Sequence, residues 1–158
     1  MEKRFKVSQV SWEEGSLELA AIRREVFIIE QNVPEDLEWD GIDESCSHVI
    51  TRDMNGKPIG TGRLLPDGHI GRLAVLKPWR GRGVGAEILK ALIDIAITMR
   101  HDVVVLHAQI YALGFYKKFG FVEEGAEFIE AGIPHIAMRR NLNNMFSARI
   151  QRFMKLLH

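Results

Sequence analysis

The chain has 158 residues, of which 46% are hydrophobic, and its 21 basic and 21 acidic residues give a formal net charge of zero. This length and composition are typical of one globular domain with a sizeable core. Without an excess of either charge, the chain lacks the field that would draw it to nucleic acid or to an anionic membrane. The single cysteine, Cys46, excludes an internal disulfide, and no cysteine–histidine spacing is typical of a zinc site.

The first ten residues lack the apolar core of a signal peptide, and no apolar run approaches membrane-spanning length. We therefore expect a cytoplasmic protein with no membrane partner, no nucleic-acid partner and no bound metal. The charges are unevenly spread, because residues 35–44 are rich in acids whereas no acid follows Glu130.

The first third of the chain predicts a strand followed by a helix. Residues 5–10 alternate apolar and polar side chains, and residues 17–31 carry a helical apolar stripe that ends at Asn32-Val33-Pro34. The acidic segment 35–44 then predicts a surface loop or a short helix. It is either a solubilising loop or a segment that attracts a cationic acceptor, and Trp39 either anchors it or lines a pocket.

Three antiparallel strands are predicted next, at residues 48–52, 58–65 and 69–76. Asn55-Gly56 between the first two is a strong hairpin signal, since both residues tolerate positive φ. Pro66-Asp67-Gly68 predicts the second turn.

A glycine-rich stretch follows, Arg80-Gly81-Arg82-Gly83-Val84-Gly85-Ala86, and leads into a helical pattern over residues 86–99. Helix starts leave N–H groups without internal partners, so a loop stripped of side chains here can wrap a phosphate closely. The alternative is a solvated turn with two surface arginines. The flanking strand and helix favour anion binding.

Two other nucleotide-binding motifs fit this stretch poorly. Gly81-x-Gly83-x-x-Ala86 formally matches a dinucleotide fingerprint, but the loop follows hairpin turns, and no acid ends the next strand, which reads Leu106-His107-Ala108-Gln109. A P-loop would need a Lys-Ser or Lys-Thr pair after the last glycine, and the sequence has none.

The remaining elements predict an α/β fold with a mixed, mostly antiparallel sheet and helices on both faces. A strand at 103–108, a short helix at 112–118 and strands starting near Phe121 and Ile136 follow in order. Residues 144–157 carry an amphipathic stripe that predicts a C-terminal helix. We expect a domain over residues 1–140 and an extension over 141–158 that packs on the domain or on a partner subunit. A basic helix that touches membrane or RNA is the alternative.

At this point the sequence resembles the GCN5-related N-acetyltransferase (GNAT) superfamily. The resemblance rests on the Arg-x-x-Gly-x-Gly run after a strand that ends Leu73-Ala74-Val75, and on residues 112–121, ALGFYKKFGF. Residues 26–34, VFIIEQNVP, and 132–135, GIPH, are similar to the small YjcF-like or ElaA-like branch. This resemblance covers nearly the whole chain before residue 141.

The resemblance implies acetyl-CoA as the donor and a primary amine, on a small molecule or a peptide, as the acceptor, with no metal. Tyr116 matches the family tyrosine that protonates the leaving thiolate, and Gln109 stands where many relatives have a cofactor-contacting asparagine. The implied cofactor-binding residues are Leu73, Ala74, Val75, Arg80, Gly81, Arg82, Gly83, Val84, Gly85, Ala86, Gln109 and Tyr116.

The acceptor side gives no unique base. An alkylammonium has a pKa near ~10.4 and must lose a proton before it attacks, which requires a carboxylate, a histidine or a water chain. The candidates are Glu30, His48, His107 and His135. A polyamine, an amino sugar, an aminoglycoside, an amino-acid derivative and a protein N-terminus all stay open as acceptors, and a homodimer is possible. The competing function is a CoA- or acyl-CoA-binding sensor or scaffold without turnover.

Overall fold

The computed structural model describes residues 4–142 and 152–157. It falls into two compact units, Met1–Ile93 and Asp94–His158. The predicted α/β class is confirmed, with helices and seven mostly antiparallel strands.

Four strands of the first unit follow one another as antiparallel neighbours. They are β1 (Phe5–Val10), β2 (Ser47–Asp53), β3 (Pro58–Leu64) and β4 (His69–Val75). The hairpin between β2 and β3 turns at Asn55-Gly56 as predicted, and Gly56 has a φ of +83°. Between β3 and β4 the register shifts, and Arg72 lies at this irregularity with a φ of +50°.

The first helix, α1 (Trp12–Arg23), begins where the Ser11 side chain accepts a hydrogen bond from the Glu14 N–H. It continues as a π-helix, Arg24–Glu30, rather than as the single regular helix that the apolar spacing predicts. A short helix in the acidic segment, α2 (Glu35–Glu38), follows it. One face of α1 and its π-helical continuation packs into a core cluster shared with β2 and β4. Its buried members are Leu19, Ile22, Val26, Ile50 and Ala74.

The long helix α3 (Val84–Thr98) lies close to β3, because two positions of β3 carry no side chain. A Cβ at Gly60 would lie 2.9 Å from the Ile88 side chain, and a Cβ at Gly62 would lie 2.8 Å from Ile88 and from Leu92. The apolar stripe predicted for α3 is largely buried. Met99, the last residue of the predicted helical pattern, lies beyond the last residue of α3 and is half exposed.

The described residues of the second unit include three strands and a short helix. Strand β7 (Ile133–Asn141) pairs antiparallel with β5 (Val103–Gln109) and with β6 (Val122–Glu130). The helix α4 (Leu113–Lys117) follows β5 after a single 3₁₀ turn. Strands β6 and β7 join through Ala131-Gly132, both with positive φ, as in a two-residue hairpin turn.

Most of the predicted C-terminal helix lies outside the described residues. Of residues 144–157, the part at 152–156 is helical, and its apolar side chains are exposed. No helix among the described residues combines the length and apolar character that a membrane crossing requires. The predicted packing of the extension stays a prediction.

Candidate active site

The glycine-rich loop between β4 and α3 has the backbone conformation that its sequence predicts. After a short 3₁₀ helix, Lys77–Trp79, the chain turns through Gly81 and Gly83, whose φ angles are +75° and +85°. A Cβ at either position would meet nothing within 4 Å, so the backbone angle, not crowding, requires glycine there. The result is a side-chain-free approach to the N-terminus of α3, which fits an anionic phosphate group.

Arg80 ties the loop to two other parts of the first unit. Its Nε donates to the Val75 carbonyl at 2.9 Å, and its two Nη atoms bind the Glu30 carboxylate at 2.6 and 2.7 Å. The hydrogen bond from Arg80 lowers the pKa of Glu30. Of the sequence-predicted bases, Glu30 is therefore held next to the glycine-rich loop but is weakened as a proton acceptor.

Arg82 packs its guanidinium 4.9 Å above the ring of Trp79. Trp79 in turn meets Phe5 edge to face. Both arginines of the loop are therefore held by contacts within the first unit. These contacts keep their positive charge beside the N-terminus of α3.

A network of three arginines and three carboxylates fills the interior beside α1. Arg23, only 1% exposed, binds Glu38 at 2.8 Å and Asp43 at 2.7 Å. Arg63 joins Asp43 at 2.8 Å to Asp40 at 2.5 Å. Arg72 contacts Glu38 at 2.9 Å and Asp40 at 3.4 Å. Each buried charge thus faces an opposite charge, as burial requires.

This network corrects part of the interpretation of the acidic segment. Glu38 and Asp43 are buried and Asp40 is partly exposed, and all three pair with arginines instead of only solubilising a loop. Arg63 holds the pKa of Asp40 down at about 2 against the effect of burial. Trp39 anchors the segment, since Arg23 and Arg24 lie over its ring at 5.2 and 5.6 Å.

His48 lies inside this network. Its Nε2 donates to the Asp43 carbonyl at 2.8 Å, its ring packs on Trp12, and it is 1% exposed. Burial lowers its pKa, which keeps the ring neutral. His48 therefore has the surroundings of a structural residue, and we assign it no part in proton transfer.

Tyr116 lies on α4 among aromatic rings. Phe115 and Phe121 meet it edge to face at 5.1 and 6.1 Å between ring centroids. Burial raises the pKa of Tyr116 to about 12. The phenol consequently keeps its proton at neutral pH and can donate it.

The last two predicted bases, His107 and His135, both lie beside Glu130. His107 Nδ1 is 3.0 Å from one carboxylate oxygen, and His135 Nε2 is 3.8 Å from the other. Glu130 is not among the site residues that the sequence predicts. Its place opposite Ile133 follows from the Ala131-Gly132 turn, a signal that the sequence contained.

Two further observations concern metal binding and thiol chemistry. Within them, no group of three histidine, cysteine, aspartate or glutamate side chains is arranged to hold a metal ion. Burial raises the pKa of the Cys46 thiol, which disfavours the thiolate that a nucleophile would need.

Comparison with known proteins places these features in a family. Residues 9–142 match the model of the "Acetyltransferase (GNAT) domain". The uncharacterized N-acetyltransferase YjcF of Bacillus subtilis is 41% identical over 124 residues, which are 76% of this chain and 88% of YjcF.

Two solved structures share the fold over nearly their whole length. An acyl-CoA N-acyltransferase from Pseudomonas aeruginosa has a TM-score of 0.76 at 30% identity, covering 86% of this chain and 99% of that one. ElaA of Escherichia coli has a TM-score of 0.78 at 27% identity, covering 87% of this chain and 99% of that one. The similarity to YjcF and ElaA agrees with the branch that the sequence resembles.

Proposed function

The chain belongs to the GNAT acetyltransferase family and is therefore an acyltransferase, and from this premise we propose that it transfers an acetyl group from acetyl-CoA to a primary amine. The amine attacks the thioester directly, without a covalent enzyme intermediate. We place the reaction in the cytoplasm. The domain over residues 1–140 carries it out, and the extension over 141–158 packs on that domain or on a partner subunit.

The observation that carries the donor assignment is the backbone of the glycine-rich loop. Gly81 and Gly83 adopt positive φ at the start of a 15-residue helix, and peptide N–H groups at such a start favour a diphosphate. In our proposal residues 80–86 hold the pyrophosphate of acetyl-CoA. The name of the Pseudomonas relative, an acyl-CoA N-acyltransferase, supports the same donor class.

The remaining cofactor contacts are assigned along β4 and β5. Main-chain groups of Leu73 and Val75 pair with the pantetheine arm, with Ala74 buried between them, and Gln109 adds a side-chain amide contact. Arg80 already donates to the Val75 carbonyl, which fixes the end of β4. A fixed N–H donor near the acetyl carbonyl would stabilise the negative charge that grows there by a few kcal/mol.

Tyr116 acts as the general acid in this proposal. Departure of the thiol leaves charge on sulfur, and a neutral phenol in a partly apolar setting donates a hydrogen bond or a proton to it. The pKa of about 12 supports the required protonation state, because practically every Tyr116 phenol is protonated at pH 7.

An assay of thiol release tests both the activity and the acid. Acetyl-CoA is incubated with a panel containing a polyamine, an amino sugar, an aminoglycoside, an amino-acid amide and a short peptide. We expect release that depends on one class of amine. Tyr116→Phe should lower kcat about 10²-fold or more with little change in coenzyme A affinity.

Tyr111→Phe is the matched control, since Tyr111 is 81% exposed on the preceding turn and should keep wild-type rates. The alternative function, a sensor that binds acyl-CoA without turnover, predicts heat on coenzyme A titration but no amine-dependent thiol. That pair of results would replace the enzyme assignment.

A further inference from the structure

One face of the β5–β7–β6 sheet gathers two histidines, a glutamate and a predicted cofactor contact. In the β5–β7 pair, Gln109 is opposite His135, and His107 is opposite Ala137. In the β6–β7 pair, Glu130 is opposite Ile133, two residues from His135. Opposed residues and alternate residues point to the same side of a sheet, so Gln109, His107, His135 and Glu130 share a face.

The opposite face carries the buried apolar side chains of β5 and β7. Leu106 and Met138 form an opposed pair there, and they are 2% and 0% exposed. The face with the histidines is therefore not the one that packs the core. On it, the Phe128 ring stacks on His135 and meets His107 edge to face, with centroids 5.9 and 5.0 Å apart.

The hydrogen bonds assign the protons on both rings. The Ile133 carbonyl can only accept, so His135 Nδ1, 2.6 Å away, is the donor. Glu130 in turn accepts from His107 Nδ1 at 3.0 Å. In a neutral His107 ring the basic lone pair is consequently on Nε2, and the side chain is 41% exposed.

We propose that His107 is the general base that deprotonates the acceptor amine, and that Glu130 is the positioning residue that orients it. This inference rests on the proposed function and extends it to acceptors that are protonated at neutral pH, namely primary alkylamines. A carboxylate behind one imidazole nitrogen fixes the tautomer and stabilises the imidazolium that forms.

Three observations favour His107 over the other candidates. His48 is fully buried in an ion network, and Glu30 is engaged by both Nη atoms of Arg80. His135 is itself buried and is held through Nδ1 by a carbonyl. His107 combines exposure, an orienting carboxylate and a position two residues from Gln109 on the same face of β5.

Amide formation removes two protons from the acceptor nitrogen. The acceptor ammonium gives one proton to His107 Nε2, and the freed nitrogen lone pair forms a bond to the thioester carbonyl carbon. The carbon–sulfur bond breaks, its electron pair goes to sulfur, and sulfur takes the Tyr116 proton. The new amide nitrogen loses its second proton to the Tyr116 phenolate, and His107 releases the first proton to solvent.

The kinetic test compares His107→Gln with His69→Gln, using the panel amine that the wild type acetylates fastest. Both histidines contact a carboxylate through Nδ1, but His69 pairs with Asp67 in the turn between β3 and β4, outside the residues assigned to the reaction. We expect kcat/KM to fall 10²- to 10⁴-fold in His107→Gln and to stay within twofold in His69→Gln. Coenzyme A affinity, measured by calorimetry, should be the same in all three proteins.

Two further readouts separate a base from a structural residue. In His107→Gln, kcat/KM should rise steeply with pH toward the amine pKa, because only the free amine reacts, whereas the wild-type profile should rise much less steeply. Imidazole should restore activity to His107→Ala but not to Tyr116→Phe. Unchanged profile slopes and no rescue would overturn the proposal.

A measurement on the free enzyme keeps the inference testable whatever the acceptor is. Nitrogen-15 NMR of the histidine rings should show His107 with its proton on Nδ1, and Glu130→Gln should shift this tautomer equilibrium and lower kcat at least tenfold. A proton on Nε2 in the wild type would refute the dyad. If no amine of the panel is acetylated, the proposed function fails, and the NMR result still decides how His107 is oriented.

Discussion

Two clusters of histidine and carboxylate, one in each unit, differ in burial and in charge balance. In the first unit, His48 lies among Arg23, Arg63, Glu38 and Asp43, all nearly inaccessible to water. In the second unit, His107 and His135 flank one partly exposed carboxylate, Glu130, and no arginine contact to it is described.

The difference separates a group that stabilises the fold from one suited to chemistry. A buried ion network needs every charge in place, so its histidine is fixed in one protonation state by burial. A carboxylate with two imidazoles at a partly exposed position can exchange protons with a substrate or with solvent. Breaking the first cluster should therefore reduce stability, and breaking the second should reduce activity.

The largest expected effect is on the first cluster. Arg23→Met keeps much of the side-chain volume but removes the buried cation that Glu38 and Asp43 share, which leaves each carboxylate with one arginine, so we expect a loss of about 3–5 kcal/mol in unfolding free energy. Denaturant unfolding measures it.

Arg24→Met is the matched control, because the neighbouring arginine also lies over Trp39 but pairs with Glu35 at the surface. It should cost less than about 1 kcal/mol. Equal losses of unfolding free energy in Arg23→Met and Arg24→Met would show that the buried ion network adds no more stability than a surface ion pair.

A smaller effect is expected on the pH dependence of the unfolding free energy. The folded pKa of Asp40, about 2, lies below its usual 3.8, so the unfolded chain binds a proton first as pH falls. Its contribution to unfolding free energy is complete above about pH 4 and is lost toward pH 2. His48, with its lowered folded pKa, removes further stability below about pH 6.5.

Asp40→Asn should flatten the pH dependence between about 4 and 2 by about 1 kcal/mol or less, since solvent screens the partly exposed carboxylate. Unfolding midpoints across this range supply the measurement. A variant with the same slope as the wild type would contradict the role given to Asp40.

The smallest expected effect is the loss of unfolding free energy when the second cluster is broken. Glu130→Gln replaces the carboxylate in a partly exposed contact with His107, which should cost under about 1 kcal/mol of unfolding free energy. A loss as large as that of Arg23→Met would mean that Glu130 serves the fold, and the contrast between the two clusters would disappear.

The elements that the sequence predicts well are those with local signals. The Asn55-Gly56 turn, the glycine-rich loop and the apolar face of α3 each depend on neighbouring residues, and all three occur in the structure. The π-helix at Arg24–Glu30 does not follow from apolar spacing, because spacing alone does not separate helix types over two turns.

The two clusters escaped prediction because their partners are distant in sequence. Arg23 lies within the buried stripe of α1, so its position next to Leu19 and Ile22 was a usable signal for a buried, paired arginine. The contact of His107 with Glu130 spans 23 residues and depends on the pairing of β5 with β7 as well as on the turn between β6 and β7. The turn has a local signal, but no local pattern encodes the register of β5 against β7.

The central claim is that the loop before α3 binds the diphosphate of coenzyme A, and calorimetry of Gly83→Ala and Gly56→Ala tests it directly. Both glycines have similar positive φ and open space around a Cβ, so both variants carry the same backbone strain of about 1–2 kcal/mol. We predict one binding event for coenzyme A in the wild type and in Gly56→Ala, and at least tenfold weaker binding in Gly83→Ala. If coenzyme A gave no heat of binding with the wild type, or bound Gly83→Ala and Gly56→Ala with equal affinity, the loop before α3 would not be the diphosphate site.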